Sequence, residues 1–283
     1  AAAAAAVVVV VVVVAAAAAS AGGRGESAEA AMFQQSQPQQ QQFPGGSFGM
    51  DWDKVRSAFA SAAPLDDSAR SHLVRVYGTL GAGCGAAAAG TALYLQTHIG
   101  YTMPLLASVI ATFMLHSTNP QNVNMRFGYF MLIALAQGIA AGGLVELALY
   151  VDPQIVLVAL GSTLAIFAGL SFAAWKAESR SYLYLGGMLY SALGVMSLVS
   201  LANFFLRWQI LFNVNLYGGL VVFSLYVLFD TQLIIEKVRM GERDFVKHAL
   251  ELFMDLAAIF VRVLVVLLKN AEDKEKRRRH REQ

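Results

Sequence analysis

The chain has 283 residues, of which 57% are hydrophobic and only 14% are charged, with a formal net charge of +2. Soluble domains carry about 25% charged residues, so this composition excludes an ordinary water-soluble domain and indicates a polytopic membrane protein. The single cysteine, Cys84, excludes a disulfide within these residues, and the 24 glycines suit close packing of membrane helices.

Residues 1–50 differ in composition from the rest. An Ala/Val run over residues 1–21 is followed by a Gln-rich tract over residues 34–42. The run is long enough to span a membrane or to form a signal core, but no basic residue precedes it. Because homopolymer tracts usually reflect compositional bias, we expect a disordered leader over 1–50, followed by a cytosolic N-terminal segment over 51–70.

Apolar runs of helical length follow one another through residues 71–268, which we predict to be an all-α bundle of seven membrane segments. The predicted segments are Leu73–Leu95, Met103–His116, Phe127–Tyr150, Ile155–Trp175, Tyr182–Phe205, Leu216–Ile235 and Ala249–Leu268. Short loops connect most of them, and the second segment is short for a full crossing. The predicted function must therefore be carried by a helical bundle in contact with a lipid bilayer.

Basic residues in the short loops predict the orientation of the bundle. One side collects basic residues that include Arg75, Arg126 and Lys176, whereas the opposite loops carry Arg207 alone. The positive-inside rule therefore places the N-terminus in the cytosol.

The basic tail over residues 269–283 also favours the cytosol, yet seven full crossings would place it on the other side. The charge of the tail favours a re-entrant last segment, and its long apolar run favours a spanning one. Both topologies stay open from the sequence.

Two acidic residues, Asp230 and Asp255, each lie inside a long apolar run. A charged side chain at mid-bilayer depth costs roughly 2.5–3.5 kcal/mol or more, so such residues are usually functional. Two carboxylates brought together in an apolar site tend to share one proton. The pair is predicted to form a proton-sensitive latch and, once deprotonated, a transient oxygen site for a hard cation such as calcium.

Other polar residues are auxiliary candidates. Glu251, Asp255 and Arg262 fall on one helical face, which makes Arg262 a candidate counter-ion for Asp255. Glu146 lies near the end of the third segment, and His116 ends the second. The five histidines lack the spacing of a metal site, no phosphate-binding loop or nucleophile motif occurs, and no bound cofactor, enzymatic activity or nucleic-acid partner is expected.

The C-terminal half resembles the Bax inhibitor family of transmembrane proteins. The similarity rests on the stretch that runs from NLYGGLVVFSLYVLFDTQ through HALELFMDLAAIF, and on HLVRVYGTL, VDPQIV and SYLYLGGML upstream. It extends from about residue 50 to the end and is closest to plant-type members, which finish in a basic tail.

The resemblance implies six helices around a central one in the endoplasmic reticulum membrane. It also implies a pH-sensitive calcium leak that suppresses stress-induced cell death, with Asp230 and Asp255 as the family's paired aspartates. Bacterial relatives place an arginine latch at the end of the second helix, where this chain has FMLHSTNPQ. Arg126 or Arg262 would then have to replace that arginine.

Two alternatives accompany the leak channel. An intramembrane aspartyl protease also uses two aspartates, but such enzymes usually carry GxGD and PAL-type motifs, which this chain lacks. A regulatory scaffold would instead bind calmodulin-like proteins, Bcl-type death regulators or lipid-modifying enzymes, with the basic tail as its contact surface.

Overall fold

The computed structural model describes residues 67–100, 102–177 and 185–282 of the chain. The predicted leader over residues 1–50, most of the N-terminal segment and the start of the fifth predicted segment at Tyr182 lie outside these residues. The described part consists of helices and their connections, which confirms the predicted all-α polytopic fold.

Seven helices follow one another in the described residues. They are α1 (Asp67–Thr97), α2 (Thr102–Ser117), α3 (Val123–Val151), α4 (Pro153–Lys176), α5 (Gly186–Leu206), α6 (Gln209–Arg239) and α7 (Phe245–Glu282). α3, α4, α5 and α6 are each long and apolar enough to cross a membrane, and α2 is a shorter apolar helix.

Local chemistry explains several helix ends. Asp152 accepts a hydrogen bond from the Gln154 N–H at 2.9 Å and precedes Pro153, so α4 begins with a side-chain cap and a proline at its first position. Gly241 ends α6 with a φ of 95°, and the Glu242 N–H then donates to the Lys237 carbonyl at 2.9 Å. This left-handed turn satisfies the last carbonyls of α6 and redirects the chain into α7.

α7 is the central helix of the bundle. It packs against α1, α3, α4 and α6, whereas α2 packs on α3 and α5 packs on α6. Its fully buried side chains include Leu252, Ile259 and Leu264, and Phe253 meets Phe130 of α3 edge to face at 5.8 Å. The acidic residues of α7 are therefore surrounded by other helices.

The backbones of α1 and α3 lie in direct contact. A Cβ atom at Gly90 would lie 2.2 Å from the Leu135 carbonyl oxygen, and one at Gly138 would lie 1.9 Å from the Ala87 carbonyl oxygen. Only glycine permits this separation. Because helices in a membrane are not driven together by the hydrophobic effect, close van der Waals packing of this kind stabilises their contact.

The bundle has two distinguishable ends. At the proximal end α1, α3 and α7 begin, as shown by the His72–His248 and Arg126–Asp244 contacts. At the distal end α1 and α3 finish, and α7 leaves beside the start of α6, where Lys269 donates to Asn213 at 2.8 Å.

Three predicted boundaries differ from the structure. The predicted loop Leu206–Asn215 is largely helical, because α6 begins at Gln209 and passes through a π-helical turn at Val214–Gly218. The charged connection Glu236–His248 shortens to residues 240–244. The tail does not turn back: α7 is one unbroken helix through Glu282, without a break at residue 268.

Candidate functional site: a buried carboxyl pair

The structure brings Asp230 and Asp255 together across the α6–α7 contact. Their carboxyl groups lie close enough to interact with each other. Asp255 is 4% exposed, and Asp230 is partly buried. Two carboxyl groups brought this close inside a helical bundle tend to share one proton.

A tyrosine that sequence reasoning missed lies beside the pair. Tyr226 precedes Asp230 by one helical turn, and its side chain is near enough to interact electrostatically with both aspartates. Its hydroxyl and the Asp255 Oδ2 atom are buried without a hydrogen-bond partner among the described residues. Unpartnered buried polar atoms are uncommon in folded proteins, which makes these two atoms candidates for binding a proton or an ion. The signal in the sequence was the i,i+4 spacing of Tyr226 and Asp230.

On the proximal side of the aspartate pair, an ion pair joins the same two helices. The Lys237 ammonium lies 3.5 Å from Glu251 Oε1, and the two side chains are 17% and 25% exposed. Glu251 precedes Asp255 by one turn, so a second carboxylate on α7 faces the aspartates from the proximal side. Sequence reasoning assigned Lys237 to a loop, because it follows the apolar run of α6.

The predicted pairing of Arg262 with Asp255 does not form. Seven residues of helix separate them by about 10 Å along the axis, and Arg262 donates instead to the Ala258 carbonyl at 3.0 Å. Its guanidinium stacks over the Phe223 ring at 4.4 Å and lies against Gly219. Arg262 is 2% exposed and has no ion pair among the described residues, so it is a buried cation held by an aromatic ring and a carbonyl group.

Arg126 also has a different partner from the one predicted. Its guanidinium lies 2.6 Å from Asp244 Oδ2, with side-chain exposures of 4% and 12%. Asp244 accepts in addition from the Lys247 N–H at 3.1 Å and so caps α7. Arg126 therefore fixes the beginning of α7 to the beginning of α3 and does not contact the aspartate pair.

Two buried histidines complete the proximal end. His72 Nε2 and His248 Nδ1 are 2.9 Å apart, so one ring donates and the other accepts. His248 Nε2 faces Glu242 Oε1 at 3.9 Å. Burial acts to raise the pKa of the Glu242 carboxyl, but Lys247 and Lys237 outweigh it, so that pKa lies below its usual range.

His116 and Glu146 lie away from the pair. His116 is partly buried at the end of α2, where Lys247, Glu251, Arg126 and Asp244 are its charged neighbours. Glu146 lies at the distal end, where its Oε1 atom is 2.9 Å from His98 Nε2 in an exposed hydrogen bond. In the described part of the chain no group of three or more His, Cys, Asp or Glu residues is arranged to hold a metal ion.

The fold and the site together define a polytopic helical membrane protein with a carboxyl pair between its central helix and a neighbouring helix. The sequence profile of the family described as "Inhibitor of apoptosis-promoting Bax1" matches residues 69–272. The chain belongs to this Bax inhibitor family.

Curated relatives match over most of their length. Bax inhibitor 1 of Arabidopsis thaliana is 36% identical over 231 residues, which cover 81% of this chain and 92% of that protein. Bax inhibitor 1 of Oryza sativa subsp. japonica is 37% identical over 236 residues, covering 82% and 93%. Bax inhibitor 1 of Homo sapiens is 37% identical over 219 residues, covering 76% and 92%.

Proposed function

We propose that this chain is a calcium leak channel of the endoplasmic reticulum membrane that suppresses stress-induced cell death, and that the proton shared by Asp230 and Asp255 gates it. The observation that carries the proposal is the close approach of the two carboxyl groups across the α6–α7 contact. Family membership supports the role in regulating cell death.

The carboxyl pair suits a gate because it joins the central helix to a neighbour. While one proton is shared, the hydrogen bond holds α6 to α7. When that proton leaves, two negative charges face each other in an apolar surrounding, and their repulsion weakens the contact. Lys237, Glu251 and Tyr226 are the other titratable groups that face the pair.

The same carboxylates provide ligands for the permeant ion. Calcium binds carboxylate and hydroxyl oxygen atoms at about 2.3–2.6 Å. Asp255 Oδ2 and the Tyr226 hydroxyl have no competing partner among the described residues, and Glu251 adds a carboxylate one turn away. Calcium is the transported ion in this account, and no catalytic step and no resident cofactor are proposed.

Calcium flux from loaded vesicles tests the proposal. Purified protein is reconstituted, and efflux is measured between pH 5 and pH 8 for the wild type, Asp230→Asn and Asp255→Asn. An asparagine amide keeps a hydrogen bond to the remaining carboxylate but cannot lose its proton. A bond to a charged group contributes about 1.5–3 kcal/mol, so we expect each variant to leak about tenfold less than the wild type at its most active pH, with a flat pH profile.

Glu146→Gln is the matched control, because it removes a carboxylate from the distal end of α3, where its partner is His98. We expect this variant to retain the flux and the pH profile of the wild type. Wild-type flux at every pH in both aspartate variants would contradict the gate.

We propose further that the N-terminus faces the cytosol. The proximal end carries Arg75, Arg126 and Lys176, and the unbroken course of α7 then directs the basic tail to the other side of the membrane. Single cysteines introduced at Gln209 and Arg281 in a Cys84→Ala background test this topology. In sealed vesicles with the cytosolic face outward, an impermeant thiol reagent should label neither position. Labelling of position 281 alone would show that α7 turns back.

A regulatory scaffold is the second candidate, and the exposed end of α7 favours it. Residues 272–279 are exposed, and the helix continues through them beyond the bundle. Deleting the chain after Asn270 removes this segment but keeps the hydrogen bond from Lys269 to Asn213. Unchanged calcium flux with loss of binding to a calmodulin-like protein or to anionic vesicles would assign the tail to interaction. Unchanged binding would remove the tail from that role.

A further inference from the structure

A large cavity lies among α1, α3, α4 and α7, separate from the carboxyl pair. Its volume is about 800 Å³, within the range of about 300–1,000 Å³ found for small-molecule sites. The side chains that line it are mainly apolar, and none of them is charged. An ionised ligand would therefore be buried without a counter-charge, so the chemistry of the walls selects a neutral apolar molecule.

The cavity lies on the face of α7 opposite to the aspartates. α7 contributes Phe253, Leu256, Ala257 and Phe260, which follow the i, i+3, i+4, i+7 spacing of a single helical face. Asp255 lies two residues from Phe253 and therefore points about 200° away. A ligand in this cavity would occupy space that the proposed ion pathway does not use.

The cavity is open toward the surface that meets lipid. α1 and α4 form its two sides, and they pack on α3 and α7 instead of on each other. Ala88 of α1 and Leu160 and Leu164 of α4 line the cavity and are also exposed. A molecule dissolved in the bilayer can enter between α1 and α4 without crossing water.

A buried hydroxyl group without a partner lies on the cavity wall. Thr163 is 2% exposed, and its Oγ1 atom has no hydrogen-bond partner among the described residues. A helical threonine often donates to the carbonyl four residues before it, as Thr112 does to Ser108 at 2.8 Å. The Thr163 hydroxyl therefore has an unused hydrogen-bonding capacity, and a rotation about χ1 would turn it toward a ligand in the cavity.

The shape of the cavity distinguishes a rigid ligand from a flexible chain. The close α1–α3 contact through Gly138 leaves a wall that includes the small residues Ala87 and Ala141, which project no long side chain into the cavity. Phe253 and Phe260 face the cavity from α7. A rigid, flat ring system fits between such walls and loses little conformational entropy on binding.

We propose that this cavity binds a sterol drawn laterally from the membrane. The sterol ring system lies against the Ala/Gly wall, and its hydroxyl group hydrogen-bonds to Thr163. The occupant is neutral, rigid and apolar and carries a single hydroxyl group, which matches the uncharged lining, the wall of small residues and the unpartnered hydroxyl group of Thr163.

Photolabelling tests the sterol site. Purified full-length protein in nanodiscs is exposed to a sterol that carries a diazirine group, with unlabelled sterol as competitor. We expect saturable labelling of peptides from α1, α3, α4 and α7 that contain lining residues. Thr163→Val keeps the side-chain shape but removes one hydrogen bond, which should weaken the apparent sterol affinity about threefold to tenfold. Ala141→Leu, which projects a larger side chain into the cavity from the wall of small residues, should weaken saturable labelling.

Two matched controls keep the test decisive. Thr112→Val removes a hydroxyl group that is already bonded to its own helix, and Ala165→Leu enlarges an exposed position of α4 that does not line the cavity. Both should label as the wild type does. Labelling that unlabelled sterol does not displace, or equal affinity in Thr163→Val and the wild type, would overturn the proposal. A phospholipid with a diazirine in its acyl chain provides a further test. If it labels the same peptides and sterol does not displace it, the proposal is also overturned.

Discussion

The buried ion pair between Arg126 and Asp244 offers a quantitative test of how α7 is anchored. Their charged atoms are 2.6 Å apart, and both side chains are almost completely buried. Removing one partner leaves an uncompensated charge, which typically costs about 3–5 kcal/mol. We expect Arg126→Met and Asp244→Asn each to reduce the free energy of unfolding by an amount in this range.

The double variant separates the pair from its surroundings. Because Arg126→Met/Asp244→Asn leaves no charge unpaired, its loss of stability should be smaller than the sum of the two single losses by about 0.5–3 kcal/mol. The free energies are measured by sodium dodecyl sulfate titration in mixed micelles, followed by circular dichroism. Single losses below about 1 kcal/mol, or losses that simply add, would refute the anchoring role of this pair.

Two further predictions concern helix packing and acid stability. Gly138→Ala places a methyl group against the Ala87 carbonyl oxygen and should destabilise the protein by about 1–3 kcal/mol in the same titration, whereas Gly161→Ala, which meets no atom within 4 Å, should not. An equal effect of both substitutions would refute the backbone contact. The pKa of Glu242 is lower in the folded protein than in the unfolded chain, so the unfolded chain binds more protons in acid. Ionised Glu242 therefore stabilises the folded state by about 1 kcal/mol or less above about pH 4.5. This stabilisation is lost as the pH falls through the lowered pKa. Glu242→Gln should therefore be less stable than the wild type only above that pH in thermal unfolding, and a difference that grows in acid would contradict the assignment.

Hydrophobic run length predicted most of the fold, because each lipid-facing helix must be long and apolar. It failed where polar residues interrupt a run without ending the helix. The stretch around Asn213 and Asn215 was predicted as a loop, but these amides hydrogen-bond to Lys269 and Ser200, so α6 continues through them. The charged tail was likewise predicted to be separate from the last segment, yet it continues the helix.

The sequence predicted the facing carboxyl residues because their burial cost stands out against an apolar run. It could not predict their counter-ions. Helical periodicity placed Arg262 on the face of Asp255, but periodicity ignores the distance along the axis and the residues of α6 at that level, where Phe223 is the actual partner. Whether Lys237 and the hydroxyl of Tyr226 lie near the aspartates depends on the relative positions of α6 and α7, and no local sequence pattern specifies these positions.

The central claim is that Asp230 and Asp255 hold one proton between them. Infrared difference spectroscopy of the reconstituted protein tests it directly, because a protonated carboxyl group has a carbonyl-stretch band that a carboxylate lacks. We predict a band from the pair that disappears at high pH and that each of Asp230→Asn and Asp255→Asn shifts or weakens at neutral pH. A band unchanged in both variants, or no band in the wild type at any pH, would contradict the account.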